Sequence, residues 1–411
     1  MRVFWIAVGV ALACALARPA AAGTVRGRVV DVHSRWTATG DRIVSDVTVA
    51  TDDGRRVTWT QAGGRAGGIG MWQSHVPPLP AVGDRVTAEV VAARTGGGEA
   101  TRVARAVTID APALPAGAIG FVNTRTHNSG APLHWASGCV FLAMDERGTS
   151  QIDDEIDVIE SVLSTWRQAT SGCSYLDLRF DGTTDGAVRF DGDNVIVFRE
   201  DRWCRPASDD APEECYNPSA AAITTLFFVD DPDNPRDAEI VDADIELNGV
   251  QFAISSGGQS RGSATCLADL ANTLTHEVGH LMGLDHTCWD GTGERPVDGD
   301  GAPVPSCTPT SALPPEVTEA TMFNFQSCGE TKKASPEADD IAGVCSLYPL
   351  ADDPGECKRA DVGESGGCCA VAPGRALGPR GGAGGGLETL IAGIALLALR
   401  RRGGNGRARP R

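Results

Sequence analysis

The sequence predicts an α+β domain over residues 121–357, preceded by a small all-β, barrel-like domain over residues 23–110. Two observations predict these fold classes. In the first region, short runs of alternating apolar and polar side chains are separated by turn signals such as Asp53-Gly54, which is typical of an antiparallel barrel or sandwich. The second region combines strand-like runs with two segments of helical periodicity, which favours an α+β architecture.

Composition limits what the 411-residue chain can be. Its 42% hydrophobic and 22% charged residues are ordinary for a globular protein, which excludes a disordered polyanion and a multispanning membrane protein. The length indicates about two or three domains. The net charge of −18 disfavours a nucleic-acid partner, because phosphate binding relies on lysine and arginine.

Residues 1–22 are typical of a secretory signal peptide. Arg2 is a short positive region, Val3–Ala17 is apolar, and Ala20-Ala21-Ala22 supplies small residues for cleavage. We therefore expect a secreted protein. The chain has 13 cysteines, and those that remain once Cys14 is removed with the signal are expected to form disulfides in an oxidising compartment.

Residues 358–411 form a Gly/Arg-rich tail. It contains the pair Cys368-Cys369, a short apolar segment Leu390–Leu399, and an arginine cluster that begins at Arg400. Over about the last 45 residues, this order resembles a myxobacterial-type C-terminal sorting tail. The resemblance implies anchoring at the cell surface or outer membrane. The apolar segment is shorter than a stable membrane span, and a disordered basic tail is the alternative.

The all-β domain is predicted from four alternating runs. It contains no cysteine, and the sequence shows no catalytic cluster in it. Residues 111–120 are rich in alanine, proline and glycine and are interpreted as a linker. The four runs are Val25–Val32, Ile43–Val49, Arg56–Thr60 and Arg85–Val91.

The α+β domain is predicted from two helices and several strands. We expect Ser150 to cap the first helix, and a second helix from about Ser263 to Met282. The apolar stripe of the first helix repeats in steps of four and three residues and consists of Ile152, Ile156, Ile159, Leu163 and Trp166. The strands are expected at Leu133–Leu142, Tyr175–Phe180, Val195–Phe198, Ile223–Val229 and Ile240–Asn248.

The second helix carries a pattern of metal-ligating residues. His276 and His280 are four residues apart, so their imidazoles lie on one helical face, and Glu277 adjoins the first of them. Gly283 permits a positive φ that ends the helix and brings His286 back toward the pair. Three protein ligands leave a fourth position for water, which is typical of a catalytic zinc site. The sequence therefore predicts Zn²⁺ at these three histidines.

The pattern H-E-x-x-H-x-x-G-x-x-H over residues 276–286 resembles the signature of the metzincin metallopeptidases. The resemblance implies a catalytic domain with a twisted mixed sheet, an active-site helix and a Met-turn beneath the zinc. Met322 is the candidate for that turn, because no other methionine follows the motif.

Within the metzincins, the chain is most similar to the matrixins. Gly279 gives the H-E-x-G-H form, and Ala338–Val344 resembles the matrixin C-terminal helix. Thr287 follows the third histidine where astacin-like and adamalysin-like enzymes have an acidic residue, and Asn324 stands where astacins and serralysins have a tyrosine. Both departures count against those groups.

The resemblance implies a secreted zinc endopeptidase that acts on protein or peptide substrates. In such an enzyme Glu277 would take a proton from the zinc-activated water and deliver it to the leaving amine. Two alternatives stay open. One is a surface binding or adhesion protein with an inactive metzincin domain, and the other is a zinc hydrolase of a non-peptide substrate.

The domain at residues 23–110 has two interpretations. A propeptide cysteine on the zinc keeps matrixins latent, but residues 24–138 contain no cysteine. The domain is therefore either a prodomain that inhibits in another way or an accessory domain, which the sequence favours. The histidines outside the motif are interpreted as surface or packing residues; they are His33, His75, His127 and His134.

Ten cysteines lie between positions 139 and 357, and the sequence leaves most of their pairing open. Short loops favour the pairs Cys204–Cys215 and Cys288–Cys307. A third pair, Cys139–Cys173, would tie the first strand of the α+β domain to the end of the first helix.

Two acidic segments, Asp230–Asp233 and Asp298–Asp300, are candidates for a structural Ca²⁺ site. Calcium takes oxygen ligands from flexible loops. The alternative is that both segments are solvated acidic loops, and neither has the spacing of an EF-hand.

Overall fold

A computed structural model describes residues 23–77, 79–109, 120–291 and 295–362. The signal peptide, most of the predicted linker and the sorting-tail features lie outside the described residues. Within the described residues, no helix is long and apolar enough to cross a membrane. The predicted domain boundaries stay predictions.

The first seven strands lie between residues 23 and 109. Five of them close a barrel in the order β1-β2-β3-β7-β6, while β4 and β5 form a hairpin that leaves the barrel. The strands are β1 Gly23–Trp36, β2 Ile43–Thr51, β3 Arg56–Ala62, β4 Gly64–Ala66, β5 Ile69–Gln73, β6 Arg85–Arg94 and β7 Ala100–Ile109.

The barrel encloses its own small core. Alternate side chains of β2, such as Val47 and Val49, point inward and meet Trp59 of β3 and Val86 of β6. This alternation is what the period of a strand dictates, since successive side chains point to opposite faces.

The remaining strands build a larger sheet and two small ribbons. Seven strands form the mixed sheet in the order β4-β5-β13-β14-β10-β8-β9. Within it, β8, β9, β10 and β14 run parallel, β13 is antiparallel to β14, and β5 is antiparallel to β13. The strands are β8 Cys139–Asp145, β9 Asp177–Thr184, β10 Val195–Arg199, β11 Cys204–Arg205, β12 Glu214–Cys215, β13 Ala222–Val229, β14 Ile240–Asn248, β15 Ala253–Ser255 and β16 Leu267–Asp269.

In the described part of the chain, four α-helices accompany the sheet. They are α1 Glu155–Thr170, α2 Leu270–Leu281, α3 Pro315–Thr318 and α4 Ala338–Leu347. The largest core contains side chains of α1, α2 and the sheet together, including Trp166, Leu274 and Ile245. The helix that carries the histidine motif is therefore fixed by packing on both α1 and the sheet.

The predicted α+β metzincin fold class is wrong. Among the described residues the structure is mostly β, with 38% strand and 16% helix, and it contains a closed five-stranded barrel and a seven-stranded mixed sheet. One reason is that the glycine-rich stretch around Gly63-Gly64 and Gly67-Gly68 forms the β4–β5 hairpin, although glycine disfavours strands. The hairpin adds two strands to the larger sheet, so the sheet is not confined to the second predicted domain.

Both long helices begin later than predicted. Helix α1 begins at Glu155, with Asp154 at its N-cap position, while the Ser150 backbone N–H and hydroxyl donate to Glu200. Helix α2 begins at Leu270 because the residues before it form β16, which pairs with β15.

Five disulfides link the ten cysteines of the described residues. The predicted pairs Cys204–Cys215 and Cys288–Cys307 are confirmed. The predicted pair Cys139–Cys173 is wrong, because Cys139 bonds to Cys357 and Cys173 to Cys345. The fifth disulfide, Cys266–Cys328, lies next to the start of α2. The prediction that these cysteines form disulfides is thus confirmed. The wrong pairing concerns cysteines whose true partners are far apart in sequence.

Candidate metal centre

The histidine motif lies on α2 and the turn that follows it. The Asp269 side chain accepts a hydrogen bond from Asn272 N at 3.0 Å and so caps the start of the helix. At the other end Gly283 has φ +96°, and a Cβ there would lie 2.5 Å from Leu133 O. Glycine is therefore required at this position for both conformation and space. The turn returns the chain to the helix face that bears the first two histidines.

The structure brings the three predicted ligands together. The ring centroids of His276 and His280 are 4.8 Å apart, and that of His286 lies 5.3 Å from the first and 4.7 Å from the second. The Nε2 atoms of His280 and His286 are 3.1 Å apart. A tetrahedral zinc ion with bonds of about 2.0–2.1 Å holds its nitrogens roughly 3.3 Å apart, so the spacing suits a shared ion.

Backbone carbonyls orient two of the rings. His276 Nδ1 lies 2.7 Å from Thr321 O, and His280 Nδ1 lies 2.9 Å from Leu284 O. Each Nδ1–H therefore donates to a carbonyl, and each Nε2 carries its lone pair toward the cluster. This is the orientation that metal-ligating histidines usually have.

The buried imidazoles are suited to binding a metal ion. Burial, then the neighbouring positive charge of Lys333, lowers the pKa of His276 well below its usual range, and burial lowers the pKa of His280 to about 3. Both rings are neutral at neutral pH, and the buried Nε2 of His276 has no hydrogen-bond partner. A buried acceptor without a partner is costly. A divalent cation would satisfy it and the facing nitrogens together.

A fourth histidine lies in the same cluster. His75 follows β5 in the first predicted domain, and its ring centroid is 4.7 Å from that of His286 and 5.7 Å from that of His276. Ligand atoms of all four histidines lie within 4.8 Å of one another. Our interpretation of His75 as a surface or packing residue missed this placement. Position 75 has no fixed sequence spacing to the motif. The only indication in the sequence that His75 could join the cluster was that it is a histidine.

The backbone of His75 is in an unusual conformation. Its φ is +54°, in the left-handed region, which a residue with a Cβ adopts at a cost of about 1–3 kcal/mol. Such conformations persist where surrounding contacts impose them. The preceding strand supplies those contacts, since β5 pairs with β13 from Ile69 to Gln73.

Glu277 lies beside the histidines in a nearly dry environment. Its side chain is 2% exposed. Its Oε2 accepts from Thr224 Oγ1 at 2.7 Å and from Ser74 Oγ at 3.3 Å, while Oε1 lies 3.7 Å from His75 Nε2. Burial raises the pKa of Glu277 to about 7, against the lowering effect of the hydrogen bonds from Thr224 and Ser74. A carboxyl group with this pKa can both take and give a proton near neutral pH.

Met322 packs directly beneath the helix of the motif. A Cβ at Gly279 would overlap Met322 Sδ, so the glycine of the H-E-V-G-H segment allows this close approach. The backbone N–H groups of Thr321 and Met322 donate to the buried Asp340 carboxylate at 2.9 and 3.2 Å. The loop that carries Met322 is thus held against both α2 and α4.

The two acidic segments do not gather metal ligands in the same way. Asp298 accepts backbone hydrogen bonds from Asp300 and Ala302 and stabilises its own loop. Asp230 accepts from Asn128 Nδ2. Within the described residues, neither segment brings three histidine, cysteine or acidic side chains to one point. Calcium binding stays a prediction.

Comparison with known proteins adds no assignment to this geometry. No family model matches the chain, and no curated protein matches it in sequence. The functional argument therefore rests on the site itself.

Proposed function

We propose that the protein is a secreted zinc endopeptidase with a matrixin-like, metzincin-type site, in which His276, His280 and His286 hold Zn²⁺ and Glu277 is the general base. The convergence of three imidazoles on one point carries the proposal. The adjoining carboxyl group, whose pKa burial raises to about 7, supports a hydrolytic rather than a purely structural site.

Each protein group has a separate part in the proposed reaction. Zinc bound with an open position lowers the pKa of water and polarises a carbonyl group. Glu277 takes the proton of the attacking water and later delivers it to the leaving amine. Thr224 holds Glu277 Oε2 at 2.7 Å, so that Oε1 stays directed toward the histidine cluster.

Substitution of Glu277 by glutamine tests the proposed chemistry. We expect the variant to retain zinc, because the three imidazoles are unchanged, and to lose peptide hydrolysis by roughly a hundredfold to ten-thousandfold. Zinc content and chelator-sensitive cleavage of casein are measured. Because His75 lies over the cluster, the measurements are made both in the full chain and in a His75→Ala background. Glu316→Gln, on an exposed face of α3, is the control.

Two results would contradict the endopeptidase proposal. One is a chain without bound zinc after purification and zinc addition. The other is a Glu277→Gln variant that cleaves casein as well as its parent does. Hydrolysis confined to non-peptide substrates would instead favour the second type of zinc hydrolase named above.

A second candidate function is favoured by one observation. Structural zinc sites have four protein ligands, and His75 supplies a fourth imidazole to the cluster. A permanently four-coordinate zinc would suit a surface binding or adhesion protein that has no peptidase activity. Such a protein would bind zinc and would stay inactive even after His75 is removed.

The proposed location is extracellular, with anchoring at the cell surface if the tail is retained. The signal-like residues 1–22 and the sorting-like residues 358–411 support this proposal. Mass spectrometry of the termini of the mature protein would show whether each segment is removed.

A further inference from the structure

We propose that residues 23–109 keep the site latent, with His75 as a fourth, displaceable ligand of the metal and the segment from β5 to Pro77 covering the place where a substrate would bind. This inference rests on the proposed endopeptidase function and names its regulation. It assigns an inhibitory role to a domain that the sequence favoured as an accessory domain.

The His75 ring is placed where a fourth ligand of the metal would lie. The three motif histidines surround one point, and His75 faces that point from the opposite polypeptide segment, with centroid distances of 4.7–6.1 Å to the other rings. A catalytic zinc needs an open position for water. An imidazole at that position removes the place where water would bind.

Residues next to His75 contact the general base Glu277 and the ligand histidines. Ser74 Oγ donates to Glu277 Oε2, and the Trp72 ring lies 5.3 Å from that of His280. Three nearby residues of one segment therefore contact the general base or the ligand histidines. Water and substrate would have to displace the segment in order to reach Glu277.

Strand β5 pairs with β13. The two strands are antiparallel, with Gln73 opposite Thr225 and Ile69 opposite Val229. The hydrogen bonds continue past the strand, since Ser74 N donates to Thr224 O at 2.9 Å. An extended peptide binds a protein most simply by adding a strand to a free sheet edge. Here β5 occupies the β13 edge that leads to Glu277.

The barrel holds the segment from β5 to Pro77 in place. Arg42, just before β2, is buried and donates to Pro206 O at 2.9 Å and to Pro212 O at 3.3 Å. Arg35 pairs with Asp210 at 2.8 Å. Trp36 stacks near Phe227 of β13, with 6.1 Å between ring centroids. The inhibitory segment is thus tethered by a docked domain and acts at a high effective concentration.

Cobalt substitution tests the ligand assignment without relying on activity. Co²⁺ replaces zinc in the full chain, and its visible absorption reports the ligand set. We expect acetohydroxamate to change the spectrum of His75→Ala at concentrations that leave the spectrum of the parent chain unchanged. His33→Ala, an exposed histidine of the same barrel, is the matched control and should behave as the parent does.

Peptide hydrolysis tests latency in the same set of proteins. We expect His75→Ala to cleave casein at least about tenfold faster than the parent chain, because the tethered imidazole competes at an effective concentration in the millimolar range or above. His33→Ala should stay at the parent's rate.

A second variant perturbs the strand without touching a ligand. Gly70 lies opposite Phe228 on β13, and a Cβ there would lie 2.5 Å from the Phe228 ring. Gly70→Val should therefore loosen β5, raise the rate of hydrolysis and make the cobalt spectrum responsive to acetohydroxamate, although all four histidines remain. This variant keeps the inference testable if His75→Ala fails to fold.

The outcomes separate failure of this inference from failure of the proposed function. If the parent chain cleaves casein as fast as His75→Ala does, and its cobalt spectrum responds equally to acetohydroxamate, the latency inference is wrong and the endopeptidase stands. If the spectrum of His75→Ala shows an opened metal site but no variant hydrolyses peptides, the proposed endopeptidase function is wrong and the ligand role of His75 stands.

Discussion

At the scale of single residues, Glu246 on β14 is the centre of a buried charged network outside the histidine cluster. Its carboxylate accepts from Arg205 Nη2 and Tyr216 OH, each at 2.8 Å, and pairs with Arg199 Nη2 at 2.6 Å. Burial alone would raise the pKa of Glu246, but Arg205 and Arg199 outweigh it and lower the pKa to about 2. Arg205 also donates to Thr225 Oγ1 at 3.2 Å, so the network contacts the strand that carries Thr224.

This pKa shift predicts a specific dependence of stability on pH. A carboxyl group with a depressed pKa in the folded state stabilises that state above its unfolded pKa of about 4.5, and the contribution is lost as the pH falls toward 2. Glu246→Gln should lower the free energy of unfolding by roughly 3–5 kcal/mol at neutral pH, since it removes the carboxylate with which the buried Arg205 pairs. The loss should be smaller at acid pH.

Urea unfolding of the parent and Glu246→Gln at several pH values measures this difference. Histidine protonation and metal loss affect both proteins alike at low pH, so the difference between them isolates Glu246. A difference in free energy that stays constant from pH 7 to about pH 2 would contradict the assignment of this pKa.

At the scale of elements, the local parts of the site were predictable from the sequence and the distant parts were not. His276 and His280 follow from helical spacing alone, and Gly283 signals the turn, because these relations involve only neighbouring residues. His75 depends on the pairing of β5 with β13, more than a hundred residues away. The glycines of that region concealed the strand, since glycine is unfavourable in strands unless another chain approaches closely.

The disulfides follow the same rule. The two confirmed pairs close loops with sequence separations of 11 and 19, where proximity is almost imposed by the chain. The pairs of Cys139 and Cys173 span separations of 218 and 172. Their partners are set by where α4 and the end of the described chain pack, which periodicity does not reveal.

The start of α2 gives a prediction at the same scale. Asp269→Ala should lower the free energy of unfolding by about 1 kcal/mol, because the cap accepts a hydrogen bond from Asn272 N. Asp269→Asn keeps an acceptor and should cost less. Chemical denaturation measures both variants, and equal losses would show that the carboxylate charge, rather than the cap, is what matters.

At the scale of the whole molecule, the barrel and the large sheet share more than a linker. Side chains of the barrel and hairpin, among them Ile43 and Met71, pack in one cluster with Phe227 and Val241 of the sheet. The hairpin also extends the sheet through β13. An interface with a shared core and a shared sheet should make the two parts unfold together.

Thermal unfolding of the full chain is therefore predicted to show one cooperative transition for the barrel and the sheet, with the calorimetric and van't Hoff enthalpies equal.

Arg42→Met removes a buried guanidinium that pairs with Asp41 and donates to carbonyls across the interface. It should destabilise the whole unit by roughly 1–3 kcal/mol, because carbonyl groups at the interface lose their donor, and it should lower the midpoint of the single transition. Arg26→Met, on the exposed side of β1, should leave the midpoint nearly unchanged. Two separate transitions in the parent chain would mean that the barrel is an independent domain, and in that case its hold on His75 would be looser than the shared core implies.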